Sequence, residues 1–179
     1  MIQDNAVRYG SITRLLHWAM AVLLLWQFAS AAARVLAEDT AVEQFLWGTH
    51  KPLGTLLLAL VVIRVIWALV NASHRPPSIN LAAKAGHIAL YLLLLGIPAI
   101  ALLRQYGSGR SFEPFGIPLF AGFEGEEIVW MEAPANLLHS WLGWLLLVMV
   151  IGHIAMVIVH RRSPRHEDVL RRMIKSDVT

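Results

Sequence analysis

Cysteine is absent from the 179 residues. With no thiol, the chain can build no disulfide, no iron–sulfur cluster and no covalent C-x-x-C-H haem attachment, which leaves histidine as the soft-edged metal ligand. Charge is scarce as well: Asp, Glu, Lys and Arg make up 15% of the residues, against about 25% in an ordinary soluble domain. A soluble chain of this length needs a polar shell, so 57% hydrophobic residues with so little charge imply a membrane protein. Acidic residues are missing from each of four long apolar runs. The formal net charge of +3 does not mark a nucleic-acid binder, because Lys and Arg cluster beside those runs instead of forming a stripe of their own.

The runs predict four spans, at about residues 14–34, 51–71, 84–104 and 136–160, each near the length that crosses hydrocarbon. In the first, Ala29, Ser30 and Ala31 also fit an A-x-A-like cleavage site, but the apolar part is long for a signal peptide and cleavage would discard His17. Leaving out Arg64, which falls within the second span, ten Lys and Arg residues flank one side and four (Arg34, Lys51, Arg104, Arg110) the other. That asymmetry places both termini in the cytoplasm. Short links between spans predict an all-α, integral membrane, four-helix up-and-down bundle in one domain. The longest link, residues 104–135, holds five glycines and three prolines with Phe112, Phe115, Phe120, Phe123 and Trp130. It reads as an outer loop folded onto the membrane surface. Residues 161–179 form a basic cytoplasmic tail, in which Val169, Leu170, Met173 and Ile174 fall on one side of a short surface helix between Glu167 and Lys175.

Histidines are what these spans do contain. His139 and His153 are 14 residues apart in the fourth span, which returns to within about 40° of the same helix face after a rise of about 21 Å. An imidazole in hydrocarbon has lost its water and needs a partner. By depth, His50 and His139 lie near the outer surface, and His17 and His153 towards the inner one. Each layer therefore takes one histidine from the fourth span and one from another, as bis-histidine ligation of two b-type haems requires. Gly54 and Gly143 follow His50 and His139 by four residues, leaving bare patches on the same helix faces where a flat macrocycle fits. Zinc needs three or four converging ligands and proton relays normally need carboxylates, so both fit less well. His87 and His160, near the inner surface, are candidates for bonding a quinone, whereas His74 and His166 sit among loop charges. Arg64 wants an anion, for which a haem propionate is the candidate, unless it snorkels to the inner surface.

Taken in order, R-x-x-H-W at Arg14, His17 and Trp18, T-H-K-x-x-G at Thr49, His50, Lys51 and Gly54, V-I-R ending at Arg64, G-H at His87, L-H-x-x-x-G at His139 and Gly143, and G-H at His153 cover essentially the whole chain. The ordered set resembles the bacterial cytochrome b561 family. The resemblance implies a bacterial inner-membrane protein with two haems b, His17 and His153 on the inner iron and His50 and His139 on the outer one. It implies single electrons passing from superoxide at the outer surface to ubiquinone near the inner one, with the quinone bordered by His160 and the turn at 75–80. That turn carries Arg75 and Ser78 in place of the lysine of the relatives. Lys51, Arg104 and Arg110 are the cations that would draw in superoxide, and Glu113, Glu124, Glu126, Glu127 and Glu132 would repel it. An alternative is a cytochrome b subunit that docks a hydrogenase, a dehydrogenase or a soluble cytochrome c on that acidic loop. A third reading is a non-redox bundle that transports or scaffolds.

Overall fold

The computed structural model describes residues 2–163 and 168–174. Four long helices dominate it: α1 (Ser11–Leu36), α2 (Ala41–Val70), α3 (Leu81–Gly107) and α4 (Val129–Arg162), each long and apolar enough to cross a bilayer. A single turn of helix, α5 (Arg171–Ile174), follows. Arg165, His166, Glu167 and Lys175 of the expected basic tail lie outside the described residues. The architecture is all-helical, and among the described residues the extended backbone amounts to one isolated bridge between Phe112 and Phe120.

Local chemistry explains where the helices begin. Thr40 accepts a hydrogen bond from Glu43 N–H at the start of α2, and Asn80 accepts one from Ala83 N–H at the start of α3, so each side chain satisfies a backbone donor that the helix cannot. Both α2 and α4 overrun the apolar runs at their N-terminal ends, with Glu43 and Glu132 in their first turns. Carboxylates there favour the positive end of the helix dipole and belong in the headgroup and water layer.

The helices pack in chain order, α1 closely along α2 and α3 closely along α4, with α2 and α3 bordering more loosely. No comparably close backbone pairing joins α1 to α4 among the described residues. Met20, Leu57 and Val61 form the buried apolar centre, ringed by Leu23, Leu24, Leu60, Val65, Tyr91, Leu94 and Leu95. Large apolar side chains elsewhere, such as Leu25, Trp141, Val148 and Ile151, face outwards. A helix that stays apolar on its outward side is solvated by lipid.

At the end of the bundle that carries the N-terminus, the N-terminal segment folds back on the helices. The Asp4 carboxylate is fully buried, accepts from Gly10 N–H and the Thr13 hydroxyl, and pairs with Arg75 at 3.0 Å. Trp67 in turn donates to the Thr13 hydroxyl. Arg172 donates to Pro77 O and Trp18 to Met173 O, tying α5 to the 71–80 turn and to α1. At the opposite end, the loop after α3 folds on its own aromatics, with Tyr106 edge-on to Phe120 at 5.4 Å and near Phe123 at 5.9 Å. Gly122 makes that fold possible: its φ is +82°, and a Cβ there would sit 2.7 Å from Gly109 O.

Candidate functional site

The structure brings together both expected histidine pairs. His50 of α2 faces His139 of α4 with ring centres 6.3 Å apart and planes at 72°. His17 of α1 faces His153 of α4 with the same separation and the same angle. Along α2, 14 residues separate His50 from Arg64, which touches His17, and along α4 the same number separates His139 from His153. The two pairs therefore form layers about 21 Å apart, with Met20, Leu57 and Val61 between them.

The separation can be compared with what a metal needs. Two metal–nitrogen bonds of about 2 Å, with about 1 Å more from each nitrogen to its ring centre, put opposed imidazole centres about 6 Å apart. Both pairs meet that requirement. His87 also approaches His153, but at 5.4 Å, which is too close to hold a metal between opposed rings.

In the His50–His139 pair the hydrogen bonds settle which nitrogen is bare. Ser30, wholly buried in α1, donates its one hydroxyl proton to Gln27 O at 2.7 Å. Its oxygen lies 2.6 Å from His50 Nδ1, so that nitrogen must be the donor and Nε2 keeps its lone pair. His139 Nδ1 lies 3.3 Å from Ile97 O, and a carbonyl can only accept, so His139 is fixed in the same tautomer. Both imidazoles thus have their Nδ1 protons committed to oxygen and their Nε2 atoms available, the arrangement that orients metal-bound histidine. Gln27 also donates to His50 O at 3.0 Å and packs on Gly54, 3.6 Å from where a Cβ would stand. A Cβ at Gly54 would stand in ordinary contact with Gln27, whereas one at Gly143 would meet nothing within 4 Å. That open face, one turn along α4 from His139, is a space a flat ring can fill.

The His17–His153 pair is built differently. Arg64, expected to hold an anion or to snorkel, donates to His17 Nδ1 at 2.8 Å and to the Tyr91 hydroxyl at 3.0 Å. A guanidinium cannot accept, so Nδ1 is the acceptor and neutral His17 carries its proton on Nε2. The ring separation fits a metal, but bonding one through Nε2 requires this Arg64 contact to be given up. Arg14, one turn before His17, has a buried Nε with no hydrogen-bond partner among the described residues, and so answers the expectation of an anion site better than Arg64 does. His87 is exposed, and its Nδ1 donates to Ala83 O at 2.7 Å, leaving Nε2 bare beside His153. His160 is buried in the last turn of α4. Arg75 is committed to Asp4, and Ser78 is exposed on the same turn.

At the end of the bundle near His50 and His139, Lys51, Arg104 and Arg110 are all exposed. Lys51 donates to Gln105 at 3.0 Å, and Gln105 donates to the carbonyls of Arg110 and Ser111, which fastens the base of the loop to α2. The charges of Arg104 and Arg110 bear on Lys51, and that of Arg104 bears also on His139. Glu127 lies 3.8 Å from Arg110, while Glu113, Glu124 and Glu126 are exposed along the loop. Sequence reasoning missed Ser30, Gln27 and Trp47, whose ring stacks on His50 at 4.8 Å and 29°. The i, i+3 spacing of Trp47 and His50 was the available signal for the last of these.

The profile of the family described as prokaryotic cytochrome b561 matches residues 8–176. Among curated proteins, cytochrome b561 homolog 2 of Escherichia coli (strain K12) is 31% identical over 185 residues, covering 93% of this chain and 91% of its own. With four membrane-length helices carrying paired histidines, this chain belongs to the prokaryotic cytochrome b561 family, membrane-embedded electron-transfer proteins that bind haem b.

Proposed function

We propose that the chain is a di-haem superoxide:ubiquinone oxidoreductase of the bacterial inner membrane, with both termini in the cytoplasm. His50 and His139 hold the outer iron, and His17 and His153 the inner one. The observation that carries this reading is the repeated geometry: two pairs drawn from three helices, each 6.3 Å apart at 72°. A bound haem b supplies an iron that takes up and releases one electron at a time.

The protein's own groups do the rest. Lys51, Arg104 and Arg110 raise the local concentration of a small anion over the outer pair. Ser30 and Ile97 O hold the outer imidazoles in the tautomer that bonds metal. On the inner side, the bare Nε2 of His87, reachable from the lipid, can accept a hydrogen bond from a quinol hydroxyl, and His160, Arg75 and Ser78 border the same end. Two superoxide ions lose one electron each to become dioxygen, and ubiquinone takes the two electrons with two cytoplasmic protons to become ubiquinol.

A second reading draws on the exposed Glu113, Glu124 and Glu126, which favour a basic redox protein docked on the outer loop. A superoxide pulse in a stopped-flow instrument separates the two. Haem reduction near the diffusion-limited scale of roughly 10⁸ M⁻¹s⁻¹ supports superoxide as the donor. Reduction only by a copurifying protein partner supports docking.

A further inference from the structure

The path from the outer histidine pair to the surface runs through one side chain that the proposed function has not used. Trp47 lies one turn before His50 on α2, its ring stacked on the imidazole at 4.8 Å and 29°. It is 44% exposed, so one edge contacts the medium while the other face touches a group proposed to hold the outer iron. Above it, 5.8 Å from the ring centre, stands the Arg34 guanidinium. Arg34 is anchored by Glu43 at 3.0 Å, a carboxylate only 5% exposed, and flanked by Glu38 at 3.8 Å. Trp26 donates to Thr49 at 2.8 Å and packs edge-on to Phe45, which fixes the helix turn that carries Trp47. Arg34, Trp47 and His50 thus form a continuous run from the surface inwards, with His139 facing His50 across a 6.3 Å separation of ring centres.

Resting on the proposed electron-transfer role, we infer that Trp47 is the port through which electrons reach the outer site. A one-electron reductant touching the exposed Trp47 edge loses one electron. A ferric haem iron held by His50 and His139 would supply the one-electron acceptor for it. No bond forms or breaks and no proton moves, and Trp47 keeps its own electrons while its ring closes the gap that a saturated side chain would leave.

The test compares Trp47→Leu, which removes the ring, with Trp47→Phe, which keeps a smaller one, and with Trp130→Leu, another exposed outer tryptophan. Each purified protein is assayed for haem content, for the midpoint potential and low-spin electron paramagnetic resonance signal of the outer haem, and for its rate of reduction by a superoxide pulse. In Trp47→Leu the rate should fall about tenfold with both haems, the potential and the resonance signal unchanged. Trp47→Phe should recover most of the rate, and Trp130→Leu should match wild type. An unchanged rate in Trp47→Leu overturns the inference. So does loss of the outer haem, or a shifted resonance signal, because either makes Trp47 a support for the His50 ring and nothing more. A wild-type protein that binds both haems but ignores superoxide defeats the proposed donor, and the port is then read with the chain's actual reductant in the same three variants.

Discussion

Ser30 Oγ lies 2.6 Å from His50 Nδ1 and has already given its one proton to Gln27 O. The imidazole must therefore donate, and a neutral hydroxyl on α1 dictates which nitrogen of a histidine on α2 is open to a metal. Replacing Ser30 by Ala removes that acceptor without adding volume. Outer-haem affinity should fall about 10- to 100-fold, the usual effect of a supporting hydrogen bond, with the inner haem unaffected. Haem titration of the apoprotein in detergent, followed by absorbance, reads this directly.

Arg64 should act on the inner site alone. Its guanidinium lies in the His17 layer, and even with the His17 hydrogen bond given up to a metal its charge stays nearby, so removing it disfavours the reduced form of an iron there. Arg64→Gln is expected to lower the inner haem's midpoint potential by roughly 50–100 mV, the size of a unit charge acting over several ångström at an effective dielectric near 20. The outer haem should not move. Redox titration with resolved α-bands measures both, and equal shifts in the two haems would contradict the assignment of layers.

Gly143 tests whether the space beside His139 is used. A Cβ there meets no protein atom within 4 Å, so Gly143→Leu costs the apoprotein little. If a macrocycle occupies that face, the variant should fold and insert normally yet lose the outer haem. Retention of full haem content would mean that the face looks onto lipid.

Asp4 should matter for stability and not for redox chemistry. Its carboxylate is fully buried and serves Gly10 N–H, the Thr13 hydroxyl and Arg75 together. Asp4→Ala leaves Arg75 without its counter-ion in a largely enclosed position, and breaking a buried pair in this way costs about 3 kcal/mol. The melting temperature in micelles should drop, while the midpoint potentials of the protein that remains folded stay at wild-type values.

The histidine pairs were legible in the sequence because depth and helical period are one-dimensional quantities. The 14-residue step in the fourth span and the Lys and Arg asymmetry between links were enough to sort His17, His50, His139 and His153 into two layers. The four-helix, all-α architecture followed from the same apolar runs. What supports the histidines was not legible, because it depends on how two helices rotate against each other. Ser30 reads in sequence as part of a small-residue cleavage pattern, yet it is wholly buried within continuous α1 and faces His50. Arg64 announced itself as a buried cation, but its partners His17 and Tyr91 come from different helices, and no periodicity pairs them. Asp4 lies outside every apolar run and gave no sign that the N-terminal segment folds back onto the bundle.

The account rests on two irons held by two histidine pairs, and the most direct test is haem quantification by the pyridine haemochrome spectrum in wild type and in His139→Ala. Two haems per chain, falling to one in the variant with the remaining haem still low-spin, is the predicted result. A wild-type protein with one haem or none, or a variant that keeps both, contradicts it.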